Sequence, residues 1–146
     1  YPEAEALMGT STAGIAHAAI TAHLLALPMG YVRSGAKDHG RKNQIEGKLV
    51  PGQKVVVIED LISTGGSVLE VVEVLRQAGA EVLGIASIFT YGMRKSVERL
   101  AEAQVKNVSL TDLDTVAAEE GYSRAEDQAR LLAFRDDPSD TRWIQK

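Results

Sequence analysis

The sequence contains no cysteine, no apolar run long enough to span a bilayer, and no charged-then-apolar leader among its first residues. The absence of cysteine excludes a disulfide framework, and the short apolar runs exclude a transmembrane helix. We therefore expect a cytoplasmic protein without a membrane partner.

The chain also lacks an excess of positive charge, since its acidic residues outnumber its lysines and arginines by 20 to 16. This balance gives no support for nucleic acid as a partner. An anionic ligand would have to be attracted by a local cluster of cations. Such a cluster lies within residues 33–48, where five cations accompany two acids: Arg33, Lys37, Arg41, Lys42 and Lys48 with Asp38 and Glu46.

Two nucleotide-binding motifs are missing as well. The sequence has no Gly-x-x-x-x-Gly-Lys-Ser/Thr, which cradles the phosphates of nucleoside triphosphates, and no Gly-x-Gly-x-x-Gly, which receives dinucleotides. A P-loop ATPase and an NAD-dependent enzyme are therefore excluded.

The composition, 45% hydrophobic and 25% charged over 146 residues, fits a single domain that covers residues 1–146. Strand and helix patterns alternate along it, which predicts an α/β fold with a mainly parallel central sheet flanked by helices. The first residues lack the polar lead-in and first strand of an intact α/β domain. We therefore expect the domain to be incomplete at its N-terminus.

The spacing of apolar residues and the positions of glycine and proline predict the individual elements. Apolar residues recur at helical spacing from Ile15 to Leu25 through Ala18, Ala19 and Ala22, and Pro28 stops that helix. The remaining predictions are strands at 29–32, 55–58 and 82–89, a helix at 67–78 capped by Gly79, a helix near 95–104, a short strand near Val108 and a helix near 124–134.

The sharpest feature is the run from Val55 to Ser67. A continuous β-branched strand, typical of a strand buried on both faces, is followed by Glu59 and Asp60 and then by a small, hydroxyl-rich turn. Small residues at a helix start let backbone N–H groups converge on a phosphate. The two acids would repel a phosphate, so vicinal sugar hydroxyls or metal-bound water suit them better. Taken alone, the acid pair is equally typical of an ordinary capped turn.

The whole run resembles the phosphoribosyl pyrophosphate (PRPP) signature of the type I phosphoribosyltransferases. The resemblance implies the fold of that family and Mg²⁺ as cofactor. It implies no direct protein ligand for the ion, which Glu59 and Asp60 would contact through water. It implies that PRPP contacts the run at Glu59, Asp60, Leu61, Ile62, Ser63, Thr64, Gly65, Gly66 and Ser67.

The basic stretch from Tyr31 to Gly40, followed by 43–47, resembles the mobile catalytic loop of bacterial orotate phosphoribosyltransferases, at about 34–47. The resemblance implies that Arg33, Lys37 and His39 are catalytic and bind the pyrophosphate of PRPP. It also implies a homodimer in which each loop closes over the neighbouring active site. Without this context, a glycine-punctuated basic loop is usually a solvated surface.

The resemblance to the family also extends to one further segment and one further residue. The segment Thr10, Ser11, Thr12, Ala13 and Gly14 resembles its pyrophosphate loop, and Ser63 matches a position that contacts orotate. The implied activity is transfer of ribose 5-phosphate from PRPP to orotate in pyrimidine biosynthesis. A PRPP-binding regulator and an enzyme that uses a purine such as adenine or xanthine share the signature and remain alternatives.

Overall fold

The computed structural model describes residues 1–33, 35, 44–118, 124–139 and 141, and strands and helices alternate in it as predicted. In chain order the elements are β1 Ala6–Thr10, α1 Ala13–Leu25, β2 Met29–Val32, β3 Ile45–Glu46, β4 Lys54–Ile62, α2 Gly66–Gln77, β5 Glu81–Thr90, α3 Arg94–Glu102, β6 Asn107–Asp112, α4 Leu113–Ala118 and α5 Ala125–Asp136. No helix in these ranges is both long and apolar enough to cross a membrane.

The six strands form one sheet in the order β3-β2-β1-β4-β5-β6. Four of its five strand pairs are parallel, and only the short edge strand β3 runs antiparallel to its neighbour β2. The predicted mainly parallel sheet is therefore confirmed. The central position of β4 explains its β-branched run, because both faces of the strand are covered.

The prediction that the first residues lack a strand was wrong. Residues Ala6–Thr10 form β1, which lies between β2 and β4 and is buried along its whole length. Its sequence, Ala-Leu-Met-Gly-Thr, has only one β-branched residue, so local propensity gives a weak strand signal. Pairing on both sides and burial decide its conformation instead.

Strand β4 extends beyond the predicted end at Ile58 and continues through both acids to Ile62. The extension is stabilised by pairing with β5, in which Glu59 lies opposite Ser87 and Leu61 opposite Phe89. The prediction also missed the two-residue strand β3, within the expected loop, and the short helix α4. Both depend on tertiary neighbours more than on local pattern.

The two faces of the sheet are covered by different helices. Val68, Val72 and Leu75 of α2 pack with Val55 and Val57 on one face. On the other face α1 packs through small residues, and Ala18 and Ala22 are buried there with Leu7, Val56 and Ile58.

Helix α1 differs from prediction on its outer side. Ala19 and Leu25, which belong to the apolar residues at helical spacing, are exposed, and so are Ile20 and Leu24. The helix is apolar almost all round, so periodicity alone could not identify the stripe that faces the sheet. The observed stripe consists of its smallest side chains, which allow close approach to the strands: Gly14, Ala18 and Ala22.

The connections that follow the two central strands, β1 and β4, cross opposite faces of the sheet. After β1 the chain passes through α1 to β2, whereas after β4 it passes through α2 on the opposite face to β5. The neighbours β1 and β4 therefore mark the point at which the strand order reverses. In open α/β sheets, ligands bind in the crevice outside the carboxyl ends of the strands at such a point.

Candidate functional site

A cavity of about 320 Å³ lies at the carboxyl ends of β1 and β4. It brings together segments that are almost fifty residues apart in sequence. The predicted site residues that line it are Thr10, Ser11, Thr12, Ala13, Arg33, Glu59, Asp60, Leu61 and Ser67. The structure therefore gathers the pyrophosphate loop, the acid pair and the root of the basic loop around one opening.

Two helices begin beside this cavity. Helix α1 has Thr12 as its N-cap and α2 has Gly65, and neither residue makes a side-chain capping hydrogen bond. Gly65 has φ 77°, a left-handed conformation that glycine adopts without steric cost. The first amides of a helix have no intrahelical partner, and together with the helix dipole they favour an anion. Two anion-binding helix ends thus open near one cleft.

The acid pair is linked to the first turn through Thr10. The Thr10 hydroxyl donates a hydrogen bond to Glu59 Oε1 at 2.6 Å, and both residues are about 95% buried. The backbone N–H of Asp60 donates to the same Glu59 oxygen at 3.0 Å. Asp60 itself is half-buried, and within the residues described here neither carboxylate forms a salt bridge. The pair is therefore available to uncharged partners such as sugar hydroxyls.

The pKa of the Glu59 carboxyl is raised to about 7, chiefly by burial and in addition by its hydrogen bond with Asp60 and the negative charge of Asp60. The hydroxyl of Thr10 and the amide of Asp60 act in the opposite direction, because they stabilise the carboxylate. Near neutral pH, Glu59 therefore exchanges readily between the acid and the carboxylate, and the two forms together can accept or donate a hydrogen bond.

Gly14 brings the first turn of α1 into direct contact with β4. A Cβ at this position would lie 2.5 Å from the backbone oxygen of Ile58 and would also overlap the Thr10 hydroxyl. Only glycine lets the first turn of α1 rest against the end of β4. The predicted glycine of the pyrophosphate loop therefore packs beneath the cavity and does not line it.

Arg33 stands at the root of the basic loop. Its Nε lies 3.4 Å from Glu46 Oε1, and its backbone N–H donates to the Gln44 carbonyl at 2.8 Å. These contacts, with the β2–β3 pairing, hold the two ends of the loop together beside the cavity. Lys37 and His39 lie outside the described residues.

The turn after β4 is only partly at the cavity. Ile62 is 2% exposed and belongs to the core, and Ser63 and Thr64 are half-buried beside the opening. Gly66 lines a neighbouring, more open cavity of about 800 Å³ together with Arg99. The Ile62 carbonyl accepts the backbone N–H of Tyr91, which fixes the start of the turn to the end of β5.

Sequence reasoning missed three residues near the site. Glu70 lines the cavity from α2, and it follows Ser67 by one helical turn, a spacing that could have identified it. Gln44 also lines the cavity, through the far end of the basic loop. Arg99 reaches the turn from α3, and its approach depends on how two helices pack, so no local signal could have revealed it.

A metal ion would find few protein ligands at this site. In the described part of the chain, no group of three or more His, Asp or Glu side chains is arranged to hold one. Two adjacent carboxylates at a cleft fit a cation that keeps most of its water and shares substrate oxygens, as Mg²⁺ does. The residues therefore fit a water-mediated Mg²⁺ and do not form a protein cage.

Comparison with known proteins identifies the family. Residues 3–127 match the family model described as a phosphoribosyl transferase domain. The orotate phosphoribosyltransferase of Bacillus subtilis is 54% identical over 149 residues, which cover 100% of this chain and 69% of that protein.

Two solved structures agree. The orotate phosphoribosyltransferase of Aeropyrum pernix has a TM-score of 0.74 and 36% identity, covering 83% of this chain and 67% of that one. The orotate phosphoribosyltransferase of Mycobacterium tuberculosis in complex with PRPP has a TM-score of 0.63 and 27% identity over 76% of this chain and 64% of that one. The chain therefore belongs to the phosphoribosyltransferase family, among the orotate phosphoribosyltransferases.

Proposed function

We propose that this protein transfers the ribose 5-phosphate group of PRPP to orotate, giving orotidine 5′-phosphate and pyrophosphate, in pyrimidine biosynthesis. One observation carries the proposal: two uncapped helix starts and an acid pair meet at a single cleft at the switch point of the sheet. PRPP has a phosphate at one end, a pyrophosphate at the other and two hydroxyls between them. The cleft offers groups that are complementary to each of these parts.

Each part of the cleft takes one part of PRPP. The turn from Ser63 to Ser67 binds the 5-phosphate through the first amides of α2 and through hydroxyl donors. Glu59 and Asp60 accept hydrogen bonds from the ribose hydroxyls. The turn from Thr10 to Gly14 binds the pyrophosphate at the start of α1. The Thr10–Glu59 hydrogen bond supports this assignment, because it joins the ribose and pyrophosphate parts of the site.

The reaction is a displacement at the anomeric carbon. Orotate N1 forms a bond to that carbon while the bond from carbon to pyrophosphate oxygen breaks; the electron pair leaves with pyrophosphate, which also takes up the proton lost from N1. Positive charge develops on the ribose and negative charge on the leaving group. Arg33, Lys37 and His39 lie at or within the basic loop and neutralise the leaving group, so catalysis consists mainly of placement and electrostatic stabilisation. Ser63 contacts orotate.

Mg²⁺ is the proposed cofactor. Glu59 and Asp60 would hold it through water, and PRPP oxygens would supply its remaining ligands. When bound, the ion supplies positive charge that offsets the charge of pyrophosphate. The protein's own part is to keep the two carboxylates at the cleft, which the Thr10 and Asp60 hydrogen bonds to Glu59 achieve.

We also propose a cytoplasmic homodimer in which each loop serves the neighbouring site. Exposed apolar side chains on α1 support self-association, since Ile20 and Leu24 lie one helical turn apart and are 61% and 77% exposed. Loop exchange can be tested by mixing two variants, Lys37→Ala and Asp60→Asn, after dissociation and reassembly. A mixed dimer has one site with both residues intact, so activity should reappear. If the loop serves its own subunit, the mixture should be no more active than its components.

The proposed activity is tested by incubating the protein with PRPP, Mg²⁺ and one base at a time and measuring pyrophosphate release. Orotate should support release, whereas adenine and xanthine should not. Pyrophosphate release with a purine and not with orotate would show that the purine is the substrate. PRPP binding without release for any base would indicate a PRPP-binding regulator.

A further inference from the structure

Arg99, on α3, reaches the start of α2 from outside the run that carries the PRPP signature. Its Nη1 donates a hydrogen bond to the backbone carbonyl of Thr64 at 3.2 Å. The same nitrogen lies 3.4 Å from the position that a Cβ on Gly66 would occupy. The guanidinium therefore lies against the first residue of α2, at the end of the helix that attracts anions.

Helix α3 is packed firmly enough to fix this approach. The backbone and Cβ of Ser96 lie 3.5–3.9 Å from the Cβ position of Gly65, and Ser96 is 2% exposed. The Ser96 hydroxyl donates to the Met93 carbonyl at 2.7 Å, so it is engaged within its own helix. Ser96 and Arg99 are three residues apart and therefore lie on one face of α3. Ser96 supplies packing against the turn, and Arg99 supplies the charge.

Acidic side chains share a cavity with Arg99, namely those of Glu70, Glu73 and Glu102, but none is paired with it. Among the residues that the structure describes, no carboxylate lies within salt-bridge distance of its guanidinium. Glu59, Asp60 and Glu70 line the adjacent cavity, where negative charge disfavours a phosphate. A guanidinium remains charged at any physiological pH and has five N–H donors, of which Thr64 uses one. The positive charge of Arg99 thus offsets part of the negative charge of these acids at the end of the cleft where the 5-phosphate would bind.

We propose that Arg99 is a positioning residue of the 5-phosphate subsite: it holds the Thr64 carbonyl away from the anion and adds positive charge beside the first amides of α2. The proposal rests on the proposed function, because it assigns the 5-phosphate of PRPP to this turn. It adds a residue from outside the signature and predicts an effect on the phosphate end of the substrate alone.

The test compares Arg99→Met, which removes the charge and keeps much of the stem, with Lys95→Met, which removes an exposed cation from the same helix. Inorganic phosphate is the probe, and its affinity is measured by calorimetry at low and high salt. We expect Arg99→Met to lose about tenfold in phosphate affinity, less at high salt because screening weakens the charge effect. Lys95→Met should bind phosphate like the parent protein.

Kinetics and a second variant separate this role from a merely structural one. In Arg99→Met the KM for PRPP should rise about tenfold while the KM for orotate and the thermal midpoint stay near parent values. Arg99→Lys keeps the charge and should recover most of the phosphate affinity. Unchanged phosphate affinity in Arg99→Met, equal losses in the Arg99→Met and Lys95→Met variants, or an Arg99→Lys variant as weak as Arg99→Met would each overturn the proposal. Absence of turnover in the parent protein would instead refute the proposed function, since the phosphate measurement does not depend on turnover.

Discussion

At the scale of single residues, Glu59 is buried and also lines the cavity in which we propose that the ribose binds. Its pKa of about 7 in the folded protein lies above the value of 4.5 for an ordinary glutamate, so the folded state binds the proton more tightly than the unfolded state. The contribution of this proton to stability is complete below about pH 4.5 and is lost as the pH rises through 7. Above pH 7, the buried charge costs about 3 kcal/mol.

Glu59→Gln should therefore stabilise the fold at pH 8 by up to about 3 kcal/mol and have little effect at pH 4.5, because glutamine remains neutral and still accepts the Thr10 hydrogen bond. Urea unfolding at the two pH values measures the difference. The exposed Glu102→Gln serves as the matched control and should show no such change. A Glu59→Gln effect that is the same at both pH values would contradict the assignment.

Asp60 is half-buried at the cavity, and its removal should act on binding more than on folding. Asp60→Asn keeps the size of the side chain but loses the charged acceptor for the ribose hydroxyls. We expect PRPP affinity to fall by about tenfold or more, since hydrogen bonds to charged groups contribute about 1.5–3 kcal/mol. Calorimetry with PRPP measures this loss, and far-UV circular dichroism checks the fold. Unaltered affinity would show that Asp60 does not hold the ribose.

Lys37 is assigned to the leaving group, so its loss should lower turnover more than substrate binding. In Lys37→Ala, kcat should fall by about 10²–10³-fold, the size of a lost transition-state charge contact. Lys48→Ala removes an exposed lysine beyond the loop and is the control. Steady-state kinetics with PRPP and orotate decide the matter. Equal kcat values for the parent and the Lys37→Ala variant would exclude this role.

The sequence predicted most of the residues at the cavity but not their pairing. Strand and turn chemistry pointed to Glu59, Asp60 and Ser67, all of which line it. The Thr10–Glu59 hydrogen bond and the approach of Arg99 join segments 49 and 35 residues apart. Such contacts depend on strand order and helix packing, which a single sequence does not encode in any local pattern.

At the scale of elements, the site consists of two strand–turn–helix units that touch. Prediction succeeded where the local signal was strong. The predicted bounds of β2 were correct, and those of α2 lay one residue too far toward the C-terminus. It failed for β1 and for the end of β4, where partner strands override weak propensity. The units touch where Gly14, in the first turn of α1, meets the backbone of Ile58 within β4.

Gly14→Ala should separate the two units, because its Cβ meets backbone of β4 and cannot be accommodated by a side-chain rotation. Overpacking of this kind costs about 1–3 kcal/mol, and PRPP affinity should fall with it. Gly66→Ala is a matched change in the first turn of α2, where the new methyl group meets only the end of the Arg99 side chain, at 3.4 Å. Chemical denaturation should show a loss for Gly14→Ala and none for Gly66→Ala. Equal effects would mean that the close contact has no energetic role.

At the scale of the whole molecule, a ligand that engages both units should stabilise the entire fold. PRPP with Mg²⁺ at 100 times its dissociation constant should add about 2.7 kcal/mol to the free energy of unfolding. For a chain of this size that corresponds to a thermal midpoint higher by roughly 10 °C. The Asp60→Asn variant at the same ligand concentration should show a smaller shift in differential scanning calorimetry. If PRPP does not change the thermal midpoint of the parent protein at any concentration, PRPP does not bind at the point where the strand order reverses.

The crevice itself results from the direction in which the backbone leaves two neighbouring strands. Because α1 and α2 depart to opposite faces, the course of the backbone itself leaves a notch between them. If PRPP binds there as we propose, its place is set by the path of the backbone, and a change of base would be expected to alter residues around the rim and not that path.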